Sequence, residues 1–185
     1  MQSIAEIQTK LSTIVNVPMS CPKTANKGAV GHLLEEKVGI PRSSACLDCT
    51  DGEVKVVPFK KLKNGSLVPK ETTSITMLSE DDLRKHEFSD SRCYHKIRNM
   101  LMIPYIRDGD NITFLPETLI QPEGEVLEVL KADYDAIRQQ FIDTGILQSK
   151  TGKYLQNRTK GPGGPKKTRA FFLRTNFTKT FCKTN

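Results

Sequence analysis

The sequence predicts a mixed α/β protein with a central mixed β-sheet flanked by helices. Three observations support this class: apolar residues recur at helical spacing in some segments, β-branched residues alternate with polar ones in others, and the two patterns are interspersed without an internal repeat. A sheet buries its apolar faces against helices, so elements in this order build one layered core. The chain has 185 residues, the size of one domain, and we expect a single domain over residues 1–185.

Several segments have the apolar periodicity or the caps of helices. In the longest, residues 123–143, apolar side chains recur three and four positions apart. A shorter segment over 90–99 begins at Asp90 or Ser91, either of which can cap a helix. The remaining predicted helices are one that starts at Ile4 and ends before Pro18, one over 28–38 and one over 176–181.

The predicted strands lie between these helices. Residues 53–59 alternate charged and β-branched side chains, and residues 100–106 form an apolar run typical of a buried strand. Further strands are expected over 72–78, 112–115 and 170–173, with turns at Asn64-Gly65 and 108–111. The charged stretch 81–85 is expected to be a solvated loop, and the Gly- and Pro-rich stretch 149–168 is expected to form loops.

Positive charge is concentrated at the C-terminal end. The formal net charge is +7, but residues 150–185 contain ten Lys and Arg and no Asp or Glu, which leaves 18 basic and 21 acidic residues in 1–149. This basic segment favours a polyanionic partner, either nucleic acid or an anionic membrane surface. Aromatic residues interrupt its charges, so we expect much of it to fold onto the body.

Composition argues against several other classes. The chain has no apolar run of 18 residues or more and no motif of a phosphate-binding loop, and its first residues lack the pattern of a secretory signal, so we expect an intracellular protein. Five cysteines are too few and too scattered for a disulfide scaffold. Cys46 and Cys49 form a C-x-x-C pair, for which zinc or redox chemistry is the alternative to two buried apolar cysteines.

One motif carries chemistry. Asp48, Glu53 and Lys55 are spaced as D-x4-E-x-K, and on a strand Glu53 and Lys55 share a face while Val54 points to the core. Two carboxylates can hold a hard divalent cation, which polarises a phosphate and activates water, and a lysine can stabilise the transition state. Two alternatives stay open. In the first, Asp51 rather than Asp48 is the first carboxylate, although we prefer Asp48. In the second, Glu53 and Lys55 merely lie on a solvated face of the strand.

The segment before this motif adds a family resemblance. From Lys27 the chain reads KGAVGHLLEE, which resembles the K-G-x-x-G-x-L-L-E segment of the MutH-like family, comprising a mismatch-repair nicking endonuclease and type II restriction endonucleases that cut GATC. Similar segments follow in the same order as far as residue 178 and so span most of the chain. They are D-x4-E-x-K, Glu71-Thr72-Thr73, His95-Lys96, Met102-Ile103-Pro104, Tyr154-Leu155-Gln156, Phe172-Leu173 and Asn176-Phe177-Thr178.

The resemblance implies a PD-(D/E)xK restriction-endonuclease-like fold with a metal-dependent active site. Asp48 and Glu53 match the metal-binding carboxylates, with the Val54 carbonyl as an extra ligand, and Lys55 matches the catalytic lysine. The implied cofactor is Mg²⁺, for which Mn²⁺ can substitute. Two further matches complete the implied catalytic set, namely Glu35, a carboxylate that supports the active site, and Lys96, a basic residue near the reacting phosphate.

The resemblance also implies a DNA-reading segment. Arg158 and Lys160 fall on the loop with which the family reads bases, where a basic side chain can contact guanine O6 and N7. The expected DNA-binding residues are Arg158, Lys160, Lys166, Lys167, Arg169, Phe172 and Arg174. Three positions depart from the family: Thr159 replaces a proline, Phe172 a tyrosine implicated in sensing adenine methylation, and Ser74 an aromatic residue.

These features together predict a Mg²⁺-dependent, sequence-specific endonuclease of double-stranded DNA, acting at GATC as a type II restriction enzyme. The alternatives are a mismatch-repair nicking endonuclease that an activating partner protein switches on, and a catalytically silent DNA-binding module. The chain contains one D-x4-E-x-K motif. Cutting both strands therefore requires a dimer on DNA or two successive nicks.

Overall fold

The computed structural model describes residues 1–23, 28–41, 45–160 and 168–184. These residues contain two β-sheets and six α-helices, joined by turns and loops. The helices are α1 (Ile4–Leu11), α2 (Ala29–Val38), α3 (Glu80–Lys85), α4 (Arg92–Ile97), α5 (Gly124–Thr144) and α6 (Thr175–Phe181). The strands are β1 (Pro18–Ser20), β2 (Glu53–Lys61), β3 (Leu67–Pro69), β4 (Thr73–Met77), β5 (Met100–Asp108), β6 (Asn111–Phe114), β7 (Thr118–Ile120), β8 (Leu155–Thr159) and β9 (Arg169–Leu173).

The larger sheet is mixed and has the strand order β1-β6-β5-β2-β3, with β7 also paired to β5. Its two long central strands, β2 and β5, run parallel, with Glu53 opposite Met100 and Lys55 opposite Met102. Its other pairings are antiparallel. The parallel pair begins at Glu53, so the D-x4-E-x-K motif lies where the chain enters the middle of the sheet.

Apolar clusters cover both faces of this sheet. Along β5, Met100 and Met102 pack in a cluster with α5, whereas Leu101 and Ile103 pack in a second cluster with α1 and α2. Successive side chains of a strand point to opposite faces. Because both faces of this sheet are covered, β5 is a continuous apolar run. The prediction of a mixed α/β fold with a central mixed sheet between helices is therefore confirmed.

A second, antiparallel sheet has the order β4-β9-β8 and carries the basic C-terminal segment. The sequence predicted β4 and β9 but placed residues 149–168 in loops, and this prediction is wrong because 155–159 form β8. β8 has no apolar alternation, since Gln156 and Asn157 are both buried polar residues. Hydrogen bonding to β9 rather than its own pattern makes it a strand.

One helical prediction also needs correction. The charged stretch 81–85 lies within α3 rather than in a loop, where the Ser79 side chain accepts from the Asp82 N–H and Lys85 pairs with Asp81 across one turn at 2.8 Å. The first helix ends at Leu11 and is followed by a turn, well before Pro18. The short strands β1, β3 and β7 were not predicted. No helix in the described segments is both long and apolar enough to cross a membrane.

Candidate active site and DNA-reading strand

Glu53 is the centre of the candidate active site. As the first residue of β2 it is only 1% exposed, and both Lys55 Nζ and Lys96 Nζ donate to its Oε1, the latter at 2.7 Å. Lys55 reaches it along the strand because side chains two apart share a face, and Lys96 reaches it from α4. A buried carboxylate needs such partners, since an unpaired buried charge costs several kcal/mol. The solvated-face alternative for Glu53 is therefore wrong.

The second oxygen of Glu53 has no protein partner. Glu53 Oε2 is buried and makes no hydrogen bond with any residue in the part of the chain that the structure describes. A buried carboxylate oxygen left without a donor is unfavourable and rare in folded proteins. A bound cation would satisfy it, so this orphaned oxygen fits the metal that the sequence motif implies.

Asp48 and Glu35 face a common cavity beside β2. Asp48 Oδ2 accepts from the Val54 N–H at 3.2 Å, which anchors the carboxylate to the start of the strand. Glu35, on α2, lines the same cavity of about 180 Å³ together with Asp48, Val54 and Lys55. Folding thus brings four of the predicted site residues around one space, and Lys55 joins them to Glu53.

Asp51 has a different environment from Asp48. Its Oδ1 accepts from the Ile4 N–H at 2.8 Å at the start of α1, and its carbonyl accepts from Asn99 Nδ2 at 2.7 Å. Thr50 N–H in turn donates to the Gln2 carbonyl at 2.9 Å. The segment between Asp48 and Glu53 is therefore tied to α1 on one side and to Asn99 on the other, which orients the two ends of the motif.

These carboxylates also act on a neighbouring thiol. Burial raises the pKa of Cys49 to about 11, and Asp48, Asp51 and Glu53 add to the shift through their negative charge. Cys49 is 1% exposed and packs in the apolar cluster with α1 and α2. A thiol in this environment stays neutral and behaves as a small apolar side chain.

The residues present offer oxygen ligands rather than a complete metal cage. Within the described segments, no group of three or more His, Cys, Asp and Glu residues is arranged so that it could hold a metal ion. The oxygens of Asp48 and Glu53 and the Val54 carbonyl are hard donors of the kind that Mg²⁺ takes, and Mg²⁺ keeps several waters when it binds to one or two carboxylates. The donor set fits such a partly hydrated ion.

Arg158 and Lys160 extend from β8 across the smaller sheet. Arg158 donates from Nη1 to the Thr72 hydroxyl at 3.4 Å, and Lys160 donates from Nζ to the Ser74 hydroxyl at 3.2 Å. Both side chains are exposed. They are two positions apart at the end of the strand and therefore present two cations on one face.

The other predicted DNA-binding residues have different environments. Arg169 donates to Asn157 Oδ1 at 2.6 Å and to the Ser149 hydroxyl at 2.8 Å, and burial lowers its pKa below the usual value. Phe172 is half-buried on β9, opposite Ser74 on one side and Gln156 on the other. Arg174 donates to carbonyls of the 149–151 segment. Lys166 and Lys167 lie outside the described residues, as does Lys27.

One residue that positions this strand was missed. Asp133 on α5 is 7% exposed, and its two oxygens accept the N–H groups of Lys153, Tyr154 and Leu155 at 2.6–2.8 Å. A signal was present, because Asp133 follows Leu130 by three positions and so lies on the apolar face of the predicted helix. A carboxylate on a core-facing stripe indicates a buried hydrogen-bonding role.

Comparison with known proteins gives a family match and a structural similarity. The model of the family described as "DNA mismatch repair enzyme MutH" matches residues 42–133. No curated protein matches the chain significantly. A complex of the restriction endonuclease MvaI with its cognate DNA substrate is similar in structure, with a TM-score of 0.48 and 11% sequence identity over 98% of this chain and 95% of that chain.

Proposed function

Because the chain belongs to the MutH-like family of endonucleases, we propose that it is a Mg²⁺-dependent enzyme that hydrolyses phosphodiester bonds of double-stranded DNA. In the finer form of the proposal it cuts at GATC as a type II restriction enzyme inside the cell. The family match includes Asp48, Glu53, Lys55 and Lys96 but neither Glu35 nor the basic segment 150–185. The catalytic residues and the reading strand are thus separate parts of the proposal.

The observation that carries the proposal is the environment of Glu53. Its carboxylate is buried, one oxygen is bound by two lysines and the other has no partner among the described residues. A purely structural carboxylate in a strand would have both oxygens satisfied. One free oxygen on a carboxylate bound by two ammonium groups, together with Lys55 lining the cavity of Asp48, supports a site for a cation and a phosphate.

Asp48 and Glu53 would hold the metal through their carboxylates, with the Val54 carbonyl as an extra ligand and Glu35 as a support. When bound, Mg²⁺ polarises a phosphate and lowers the pKa of water. Asp48 and Asp51 each accept one backbone N–H, but only Asp48 lines the cavity with Glu35 and Lys55, which supports Asp48 as the first carboxylate. Asp48 has one backbone donor and faces the cavity.

The two lysines supply positive charge at the reacting phosphate. Lys55 and Lys96 are 21% and 12% exposed, so both ammonium groups are largely shielded from water. Charge that is fixed in a shielded site stabilises a developing negative charge far better than the same charge in solvent. We propose that Lys55 orients the attacking water and that Lys96 neutralises a phosphate oxygen.

Arg158 and Lys160 are the proposed base-reading residues. Both are exposed cations at the end of β8, where Lys160 directly follows the strand, and they donate to the hydroxyls of Thr72 and Ser74. Each can donate to guanine O6 and N7 in the major groove. The two donors lie at the end of a strand rather than in a loop, which limits the freedom that they lose on binding.

A second candidate is a nicking endonuclease of mismatch repair that a partner protein activates. The observation that favours it is the matching family description, which names a mismatch-repair enzyme. One catalytic motif per chain is sufficient to cut one DNA strand, whereas cleavage of both strands requires a dimer on DNA or two successive nicks. A silent DNA-binding module is the third reading, and it requires that Glu53 and its lysines have no catalytic use.

One plasmid experiment separates these functions. Supercoiled plasmids with unmodified, hemimethylated or fully methylated GATC are incubated with the purified protein in Mg²⁺ and in Mn²⁺. Linear product from unmodified DNA supports the restriction enzyme, and open circles that depend on an added activator support the nicking enzyme. Glu53→Ala is expected to abolish cutting and to retain DNA binding. If the wild-type protein leaves every plasmid intact with both metals, the proposed enzyme activity is rejected.

A further inference from the structure

A polar pocket lies between the 150–153 turn, β8 and the start of α6. Its volume is about 490 Å³, and no carboxylate lines it. Three cationic residues and three neutral hydrogen-bonding residues form most of its wall, namely Lys150, Lys153, Arg174, Thr72, Gln156 and Asn176. A concave surface with three positive charges and no acidic residue is suited to an anion.

The positive charge in this pocket is not neutralised by the protein. Lys150, Lys153 and Arg174 form no ion pair within the part of the chain that the structure describes. Arg174 is half-buried, and its Nη2 donates only to backbone carbonyls at 3.2–3.4 Å, while its Nε is buried without a partner among the described residues. A guanidinium in that position gains more from an anion than from neutral carbonyls.

Asp133, a carboxylate close to Gly152 of the pocket, is otherwise engaged. Both oxygens of Asp133 accept backbone N–H groups, those of Lys153, Tyr154 and Leu155. It therefore fixes the backbone behind the pocket and forms no ion pair with the lysine side chains. Lys153 Nζ instead lies 5.1 Å from the centre of the Tyr154 ring, which leaves its three donors available to a ligand.

Several close contacts hold the backbone of the turn beside the pocket. Gly152 has a φ of +95°, and a Cβ at this position would lie 1.8 Å from the Leu155 carbonyl oxygen, so the turn closes tightly on β8. Asp133 holds the N–H groups after Gly152, and Arg174 holds the carbonyls on the other side of it. A fixed backbone lowers the entropy cost of binding.

The pocket continues the proposed reading face. Thr72 lines it and also accepts from Arg158, and Gln156 lines it and lies two positions before Arg158 on the same face of β8. We propose that the pocket binds a backbone phosphate of double-stranded DNA next to the bases that Arg158 and Lys160 contact. This inference rests on the proposed function and adds a phosphate site that contributes affinity without sequence preference.

The test compares a Lys150→Ala/Lys153→Ala double variant with the wild-type protein. Both lysines are exposed and their side chains hold no part of the turn, so the fold is expected to persist, which thermal unfolding checks. Fluorescence anisotropy measures binding of a GATC duplex and of a scrambled duplex over a range of salt concentrations. The matched control is Lys85→Ala, an exposed lysine on α3 that pairs only with Asp81.

Each phosphate contact contributes about −0.9 to the slope of log K against log salt. Loss of this phosphate contact should therefore make the slope less negative by about 0.9, equally for both duplexes, while Lys160→Ala should lower the preference for GATC. A double variant with the wild-type slope overturns the phosphate pocket and leaves the proposed function standing. A wild-type protein that binds neither duplex overturns both.

Discussion

Lys96 Nζ lies 2.7 Å from Glu53 Oε1, although the two residues are 43 positions apart in the chain. Lys96 lies in the last turn of the short helix α4, which is capped by Ser91, and Glu53 begins β2. The contact therefore joins two elements on the α5-packed side of the larger sheet. It places a second ammonium group beside a carboxylate that Lys55 already binds, so one carboxylate oxygen organises both lysines of the proposed active site.

We expect Lys96→Met to lower DNA cleavage by about 10²–10³-fold, the effect of removing one shielded electrostatic group from a transition state. Methionine keeps the aliphatic stem, so the variant loses the charge rather than the packing. Plasmid cleavage at saturating Mg²⁺ measures the effect, and Lys85→Met is the control because Lys85 pairs with Asp81 at the surface. Wild-type cleavage by Lys96→Met would show that Lys96 has no part in the reaction.

Asp51→Ala is expected to lower stability by about 1.5–3 kcal/mol, since it removes a charged acceptor from the Ile4 N–H. Asp51→Asn keeps an Oδ1 acceptor and should retain most of the stability and the cleavage activity. Urea unfolding and plasmid cleavage measure the two properties.

Comparison of Asp51→Asn with Asp48→Asn separates the two candidate metal carboxylates. Asp48→Asn removes the charge at the preferred ligand and should abolish cleavage at near wild-type stability. If Asp51→Asn were inactive while Asp48→Asn remained active, the assignment of the first carboxylate would be reversed.

Asp133→Asn should lower the free energy of unfolding by about 2–4 kcal/mol, because one amide oxygen cannot replace two carboxylate oxygens that accept three N–H groups. Hydrogen exchange should become faster at the amides of 153–155. Asp135→Asn is the control on the same helix, as Asp135 forms only an exposed pair with Lys131, and its loss should cost less than about 1 kcal/mol. Equal destabilisation by both variants would contradict the positioning role of Asp133.

Alkaline pH should weaken the fold through Cys182. Burial raises the pKa of its thiol to about 12, and a hydrogen bond with Thr118 opposes part of the shift. The folded pKa lies above the ordinary value of 9.0. The contribution of the neutral thiol to folding stability is therefore complete below pH 9 and is lost as the pH rises towards 12. Urea unfolding at pH 8, 9 and 10 should show a steeper decline for the wild-type protein than for Cys182→Ala. Parallel declines would contradict this linkage.

The long elements could be predicted because their own residues carry the pattern. α5 shows an apolar stripe, β5 an apolar run and β2 an alternation, and each of these patterns requires burial against something else. The strands β1, β3 and β7 have three residues each, too few to show a period. β8 has no apolar alternation, and α3 depends on its cap and its ion pair more than on a buried face.

The candidate site could also be predicted only in part from the sequence. Strand geometry by itself predicted that Glu53 and Lys55 share a face, and the order of similar segments along the chain suggested Lys96. Spacing could not show that Glu53 is buried or that one of its oxygens lacks a partner, since both depend on which parts of the folded chain surround the start of β2. It also could not separate Asp48 from Asp51, because their hydrogen-bond partners come from different elements.

The sequence by itself therefore determined the class of fold, the D-x4-E-x-K spacing of the candidate site and the basic character of the C-terminal segment, which depend on residue type and local period. Only the tertiary structure decided the partners of each charge. Asp51 is bound by the start of α1, Asp133 by three backbone N–H groups and Glu53 by two lysines. The physical reason is that a hydrogen bond or ion pair requires atoms within about 3 Å, and residues far apart in the chain meet at that distance only after the sheets have packed.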